Sequence, residues 1–362
     1  MNFILTVVLM ITNTYANKII KSNITNYIDE KKFIQKKSID QSFNDGNITH
    51  INDNDTIAIP IIWHILYYND QQKISDNQLE SQIDALNKDY NLKNSDRFNT
   101  PNDWKDLMGN FNIHFHTFKT IRKKVNINEW DIDTMYDFMK FDSYGGSDAI
   151  DTYHKLNIWI VNFAPYNGYT LLGYAQFPED YNKSPNTDGI VLNFYATGTI
   201  GTLYNSASRG RTATHEIGHW LGLRHIWGDG DCSSDDHIGD TPISEGPHYT
   251  NIGYPYTQSC GTPDMFMNYM DYGNDSTSIM FTKGQVSIGR LVFKENGYRN
   301  GFVVAGKNNN KNYLLENILF IIIIVLILLL IGACILLLIV PCVYFLWNYL
   351  FESSVVPSIN LV

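Results

Sequence analysis

Residues 215–225 constrain this chain more than any other stretch, and they read His-Glu-Ile-Gly-His-Trp-Leu-Gly-Leu-Arg-His. On a helix, His215 and His219 lie four positions apart and therefore on one face, so both imidazoles can reach one metal ion. Glu216 follows the first histidine, where a carboxylate can accept a proton from a water that the metal activates. Gly222 can adopt the left-handed conformation that ends a helix, after which His225 returns as a third ligand. The stretch therefore predicts a zinc site with the ligand set of a hydrolase.

Composition excludes one class of partner. The chain has 362 residues, of which 44% are hydrophobic and 18% charged, enough to bury a sizeable core in one large or two small domains. Its formal net charge is -10 and its lysines and arginines form no cluster. Because binding to phosphates needs clustered positive charge, no nucleic acid is expected as a partner.

Two apolar segments predict a secreted domain with a membrane anchor. Residues 3–11 are apolar and lead to small residues around Ala16, which predicts a signal peptide over residues 1–16. Residues 318–347 carry no charge, and about 20 such residues suffice to span a bilayer. We therefore predict a single-pass membrane protein whose catalytic domain is extracellular or lumenal.

The remaining boundaries follow from these two segments. Residues 17–55 show no sustained periodicity and are interpreted either as a pro-segment or as a disordered, glycosylated leader. Residues 56–300 form the predicted folded domain, residues 301–317 a juxtamembrane linker and residues 348–362 a short cytosolic tail.

Within the folded domain, strand patterns precede the histidine-bearing helix. A capping box, Ser75 to Gln78, opens a helix whose apolar stripe includes Leu79 and Leu86. His114 and His116 alternate with apolar residues and are interpreted as solvent-facing strand residues rather than as metal ligands. Trp220 and Leu221 are expected to face the core. The predicted strands are residues 56–68, 111–115, 156–163, 171–177 and 189–194, of which 171–177 is a candidate edge strand for pairing with an extended substrate.

The spacing His-Glu-x-x-His-x-x-Gly-x-x-His resembles that of the metzincin metalloproteases, and Met270 supplies the methionine turn expected downstream. Within that clan the chain is most similar to the pappalysin, or cytophagalysin, family. The stretches that carry this likeness are residues 82–90, 156–159, 173–178, 188–191 and 236–242. The resemblance implies an α/β (α+β) fold, with a twisted mixed sheet and the active-site helix above a loop-rich lower subdomain.

The same resemblance implies roles for single residues. His215, His219 and His225 match zinc ligands, and Glu216 matches the general base. Met270 matches the methionine beneath the metal, and Tyr272 matches a tyrosine that helps to stabilise the oxyanion. Cys232 and Cys260 match a family disulfide, which also suits an oxidising compartment. Family members can bind calcium in the lower region, where the candidate carboxylates are Asp229, Asp231, Asp235, Asp236 and Asp240.

Together these features predict a membrane-anchored zinc endopeptidase that cleaves extracellular or lumenal proteins or peptides. The alternative is a binding or adhesion protein on a metzincin fold that has lost catalysis; the intact ligand set and Glu216 disfavour it. Some pappalysins place an acidic residue after the methionine turn at the base of the pocket for the residue that follows the scissile bond. Asp275 is the nearest candidate, which suggests a preference for lysine or arginine there.

Overall fold

The computed structural model describes residues 6–10, 55–165, 168–249 and 257–303, together with four positions between 341 and 347. The chain up to Val304 forms one compact unit. The strands are β1 (Thr6–Met10), β2 (Ile57–Tyr67), β3 (Ile113–Lys124), β4 (Leu156–Val161), β5 (Thr170–Ala175) and β6 (Ile190–Asn193). The helices are α1 (Asp76–Asp89), α2 (Asn102–Lys105), α3 (Arg211–Trp220) and α4 (Lys283–Leu291).

All six strands form one mixed sheet in the order β1-β5-β6-β4-β2-β3. The four strands β6, β4, β2 and β3 are parallel, whereas β5 is antiparallel to β6 and β1 is antiparallel to β5. The five strands from β2 to β6 confirm the predicted mixed sheet, with bounds within a few residues of those expected except at the C-terminal end of β3. Strand β5 is the edge of these five, but β1 pairs with its outer side in the full sheet, so the structure does not show β5 as the predicted edge strand.

The inner parallel strands β2, β4 and β6 are buried on both faces, which explains their continuous apolar runs. Every residue of β4 is buried, including Trp159 on one face and Ile158 on the other. Helices α1 and α3 cover the face to which Ile158 belongs, where Leu86 and Ile217 pack into the same apolar cluster. This packing fixes the active-site helix directly against the sheet.

The capping box predicted for α1 is only half formed. The hydroxyl of Ser75 accepts a hydrogen bond from the backbone N–H of Gln78, at 3.2 Å. The side-chain amide of Gln78 instead donates to the carbonyl of Thr197, at 2.9 Å. Thr197 is fully buried, so its carbonyl needs a hydrogen-bond donor from the protein. The exposed end of the helix can bond to water instead.

The part of the chain that follows α3 is rich in loops, as expected. Its described residues form no strand, and its regular structure includes helix α4. The hydroxyl of Thr282 and the side chain of Gln285 form a complete capping box at the start of α4. Cys232 and Cys260 are joined by a disulfide, which confirms the predicted pairing.

Two predicted segments at the ends of the chain receive no support. Of the predicted signal peptide, residues 1–16, only residues 6–10 are described, and they form β1. Nearly all of the predicted span, residues 318–347, lies outside the described residues. Among the residues that are described, no helix is both long enough and apolar enough to cross a membrane.

Candidate active site

Helix α3 carries the first two histidines and is buried along its whole length. It ends at Trp220, and Gly222 then takes a φ of +92°, which confirms the predicted left-handed turn. The turn is closed by a bond from the backbone N–H of Leu223 to the carbonyl of Gly218, at 2.9 Å. Trp220 faces the core, as expected.

The three histidines converge with their Nε2 atoms facing one another. The Nε2 atom of His219 lies 3.0 Å from that of His215 and 3.1 Å from that of His225. The Nδ1 atoms contact oxygen acceptors, namely the carbonyl of Tyr269 for His215, the carbonyl of Leu223 for His219 and the carboxylate of Asp229 for His225. Each Nδ1 therefore donates to its acceptor, and in the neutral form of each ring Nε2 carries a lone pair.

This geometry fits a zinc ion. Burial lowers the pKa of His215 to about 3 and holds the pKa of His219 well below its usual value, so both rings are neutral. Three lone pairs at these distances repel one another unless a cation lies among them, and neutral imidazoles are preferred zinc ligands. These histidines form the only cluster of three or more potential ligands among the described residues.

Glu216 lies beside this cluster without a protein partner. Its carboxylate is fully buried, and neither oxygen has a hydrogen-bond partner in the described part of the chain. Burial raises the pKa of this carboxyl well above its usual value. Strand β5 approaches it closely, since a Cβ on Gly173 would lie 2.9 Å from Cγ of Glu216. A buried carboxylate with no partner is costly for the fold and is typical of a site that binds something else.

Met270 and Tyr272 complete the wall of the site. A Cβ placed on Gly218 would lie 2.5 Å from Sδ of Met270, so this methionine packs directly against α3. The ring of Tyr272 lies 4.7 Å from that of His225 and 5.7 Å from that of His215, measured between centroids. Burial raises the pKa of Tyr272 well above its usual value, so the phenol keeps its proton and can donate a hydrogen bond.

The structure gives no support to the expected calcium site, because the five candidate carboxylates accept hydrogen bonds from other groups of the protein. Asp229 accepts from the Nδ1 atom of His225. Asp240 accepts from the hydroxyl of Thr282 and the N–H of Gly284, and so caps α4. The other three carboxylates accept bonds from nearby residues, namely Asp231 from Ser233, Asp235 from His237 and Asp236 from Ile238 and Thr241.

A buried ionic network at the start of α3 was not foreseen. The guanidinium of Arg211 contacts the carboxylate of Asp96 at 2.7 Å and that of Asp89 at 3.7 Å. Asp275 accepts from the backbone N–H of Arg209 at 2.6 Å and of Arg211 at 3.3 Å. Asp275, Arg211 and Tyr272 also line a small cleft beneath His215. These residues are far apart in the chain, so no local pattern could have grouped them.

A mixed sheet packs on a helix that carries two of the three converging histidines, and the third histidine follows a glycine turn. This fold and this site together define a zinc metalloprotease of the metzincin type. Comparison with known proteins agrees. Residues 142–293 match the model of peptidase family M43, described as pregnancy-associated plasma protein-A. An extracellular metalloprotease of Arthroderma otae is 33% identical over 239 residues, which cover 64% of this chain and 76% of the relative.

Two solved structures of mirolysin are more similar in sequence to this chain. Mature mirolysin of Tannerella forsythia, in complex with a cleaved peptide, is 41% identical with a TM-score of 0.65, covering 69% of this chain and 96% of mirolysin. A promirolysin mutant from the same organism is 35% identical with a TM-score of 0.71, covering 79% of this chain and 94% of its own. The chain belongs to the pappalysin family, and it is a metalloendopeptidase.

Proposed function

We propose that this chain hydrolyses peptide bonds with zinc held by His215, His219 and His225, with Glu216 as general base and Tyr272 as oxyanion donor. The observation that carries the proposal is the meeting of three Nε2 lone pairs beside a buried carboxylate that has no partner among the described residues. Zinc at this position would polarise the scissile carbonyl and lower the pKa of the attacking water to about 7.

The protein's own groups supply the proton transfers. Glu216 accepts the proton of the attacking water and later delivers it to the leaving amine. The phenol of Tyr272 donates a hydrogen bond to the oxygen of the scissile carbonyl as negative charge develops there. The Nδ1 contacts of the three histidines keep the rings oriented while this happens.

Peptide substrates would bind along β5. In the structure β5 pairs on its outer side with β1, with Thr6 opposite Ala175 and Met10 opposite Thr170. The outer side of β5 can therefore pair with an antiparallel extended chain, and a substrate strand would use the same backbone groups. Phe177, just beyond β5, lies 5.3 Å from the ring of His219, so the strand leads directly to the proposed zinc. Mature mirolysin was solved in complex with a cleaved peptide, which supports a peptide as the substrate of this chain.

The proposal includes the location of the enzyme. The relatives are extracellular metalloproteases, and the disulfide between Cys232 and Cys260 suits an oxidising compartment. With a signal peptide over residues 1–16 and a span over 318–347, the domain at residues 56–300 faces outside or into a lumen. Residues 17–55 are proposed as a pro-segment, because the mirolysin pro-form covers about a tenth more of this chain than the mature form.

Replacing Glu216 tests the mechanism, because this residue neighbours a proposed ligand without being one. For Glu216→Ala and the isosteric Glu216→Gln we expect zinc content to stay stoichiometric and kcat to fall by about 10²- to 10⁴-fold. The melting temperature of Glu216→Gln should not fall, because the wild-type carboxylate is buried without a partner. For His219→Ala we expect loss of zinc and of activity together.

The measurements are cleavage of a peptide library with and without a chelator, metal analysis and thermal unfolding. Wild-type protein freed of residues 17–55 that carries zinc and cuts no peptide would contradict catalysis and favour the binding or adhesion alternative. If Glu216→Gln kept full activity, the general base would have to be another group.

A further inference from the structure

His248 lies between two buried carboxylates in the loop that precedes the methionine turn. Its Nδ1 atom lies 2.6 Å from Oδ2 of Asp271, and its Nε2 atom lies 3.4 Å from Oδ2 of Asp264. Both aspartate side chains are inaccessible to solvent, and that of His248 is only 10% exposed. Burial by itself would lower the pKa of His248, but the hydrogen bond and charge of Asp271 raise it above its usual value.

The carboxylate of Asp271 ties this histidine to the backbone of the proposed oxyanion donor. Oδ1 of Asp271 accepts from the backbone N–H of Tyr272 at 2.7 Å and from the backbone N–H of His248 at 2.9 Å. Tyr249, the next residue, places its ring 5.8 Å from that of Tyr272. The segment around His248 therefore holds both the main chain and the ring of Tyr272.

The two carboxylate contacts of the imidazole are unequal. Asp264 already accepts from the hydroxyl of Thr257 at 2.6 Å and from that of Ser259 at 2.9 Å, so it does not depend on His248. The bond from Nδ1 to Asp271 is shorter and joins a donor to a carboxylate buried in the protein, where such bonds are strong. Of the two, the contact to Asp271 has the greater influence on the active site.

We propose that His248 is a positioning residue for catalysis, which acts through Asp271 to hold Tyr272 where its phenol meets the developing oxyanion. The proposal rests on the role proposed above for Tyr272. Oxyanion donors act only within a narrow range of distance, and a displacement of about 1 Å can cost about 10²-fold in rate. The described loop around Tyr272 forms no strand, and the backbone N–H of Tyr272 itself donates to a side chain, that of Asp271.

A matched pair of substitutions separates the two contacts. In His248→Asn the side-chain amide replaces Nδ1 and can still donate to Asp271, whereas in His248→Gln it replaces Nε2 and can reach only toward Asp264 and Thr257. Both variants keep the backbone bond from residue 248 to Asp271. We expect His248→Gln to lower kcat by up to about 10²-fold with KM unchanged, and His248→Asn to stay near wild type.

A second measurement does not depend on turnover. Amide hydrogen exchange of the full chain should show the N–H of Tyr272 exchanging about tenfold faster in His248→Gln, because the carboxylate that accepts its bond is less well held. In His248→Asn the rate should match that of the wild type. Zinc content and melting temperature are measured on the same samples.

Combining the substitutions with Tyr272→Phe makes the outcomes distinct. If His248 acts through Tyr272, His248→Gln should have no further effect on kcat in the Tyr272→Phe background. Equal losses for the Asn and Gln variants, or a loss that persists unchanged in that background, would overturn the proposal. A Tyr272→Phe variant with full kcat would instead reject the proposed role of Tyr272 itself.

Discussion

The three proposed zinc ligands are oriented by three different partners. His215 donates to a carbonyl of the methionine turn, His219 to a carbonyl just beyond Gly222, and His225 to the carboxylate of Asp229. Such partners fix the tautomer and the direction of each ring, and their loss commonly weakens metal affinity 10- to 100-fold. Asp229, expected to bind calcium, thus orients a ligand of the proposed zinc site.

Asp275 offers a test of substrate preference. It lines the cleft beneath His215 together with Arg211, whose charge is offset by Asp89 and Asp96. The carboxylates of Asp89, Asp96 and Asp275 face two guanidiniums, those of Arg211 and the partly exposed Arg209, so one net negative charge is left to favour a basic side chain after the scissile bond. We expect Asp275→Asn to reduce the preference for lysine or arginine over leucine, measured as a ratio of kcat/KM, by about 10- to 100-fold.

The asparagine variant is preferable to alanine for this measurement. Its side-chain oxygen can still accept from the N–H groups of Arg209 and Arg211, which Asp275 binds at the start of α3. The fold of the helix should therefore survive, and only the charge changes. An unchanged ratio in a variant with a wild-type melting temperature would mean that another group recognises the substrate side chain.

Helix α3 and the methionine turn pack closely together at Gly218. Gly218, between the two histidines of α3, has no side chain, and Sδ of Met270 fills the space that a Cβ would occupy. In the interior of a helix, glycine is less favourable than alanine by about 1 kcal/mol, so its presence here needs a reason from packing. The close approach of Met270 to α3 is that reason.

Gly218→Ala should therefore destabilise the protein in spite of the better helix propensity of alanine. We expect a loss of about 1 to 3 kcal/mol in the free energy of unfolding, the usual cost of overpacking a core, together with lower activity. Gly239→Ala is the matched control, since a Cβ there meets nothing within 4 Å. Urea unfolding of both variants measures the difference, and equal stabilities would show that Met270 can move aside without cost.

Near the C-terminal end of the compact unit, Arg299 forms a buried ion pair. Its guanidinium pairs with the buried carboxylate of Asp188 at 2.7 and 2.9 Å and also donates to the carbonyl of Trp220, at the end of α3. Phe302 is buried close by, with its ring 5.3 Å from that of Trp220. The folded protease therefore needs residues up to at least 302.

Chains of different length should separate folding from membrane attachment. A chain ending at Val304 should fold, keep its activity and leave the membrane fraction, because it retains Arg299 but lacks the proposed span at residues 318–347. A chain ending at Gly297 should lose about 3 to 5 kcal/mol or fail to fold, since Asp188 is left buried without its partner. Fractionation with alkaline carbonate measures attachment, and a full-length chain released by carbonate would contradict the span.

Much of the architecture could be read from local patterns. The alternation of Ile113 and Phe115 with polar residues predicted β3, and the four-residue spacing of His215 and His219 predicted one ligand-bearing face of a helix. Gly222 was expected in the left-handed region and has a φ of +92°. These predictions succeed because backbone geometry relates residues only a few positions apart.

The sequence by itself therefore determined the five strands from β2 to β6, helices α1 and α3, and the side chains that could ligate a metal. Only the tertiary structure decided that Asp229 orients His225, that Gly218 receives Met270 and that His248 reaches Tyr272 through Asp271. The last two contacts join residues tens of positions apart through loops without periodicity. In such loops each buried polar group forms a hydrogen bond with a partner that the packing of the whole domain brings within reach.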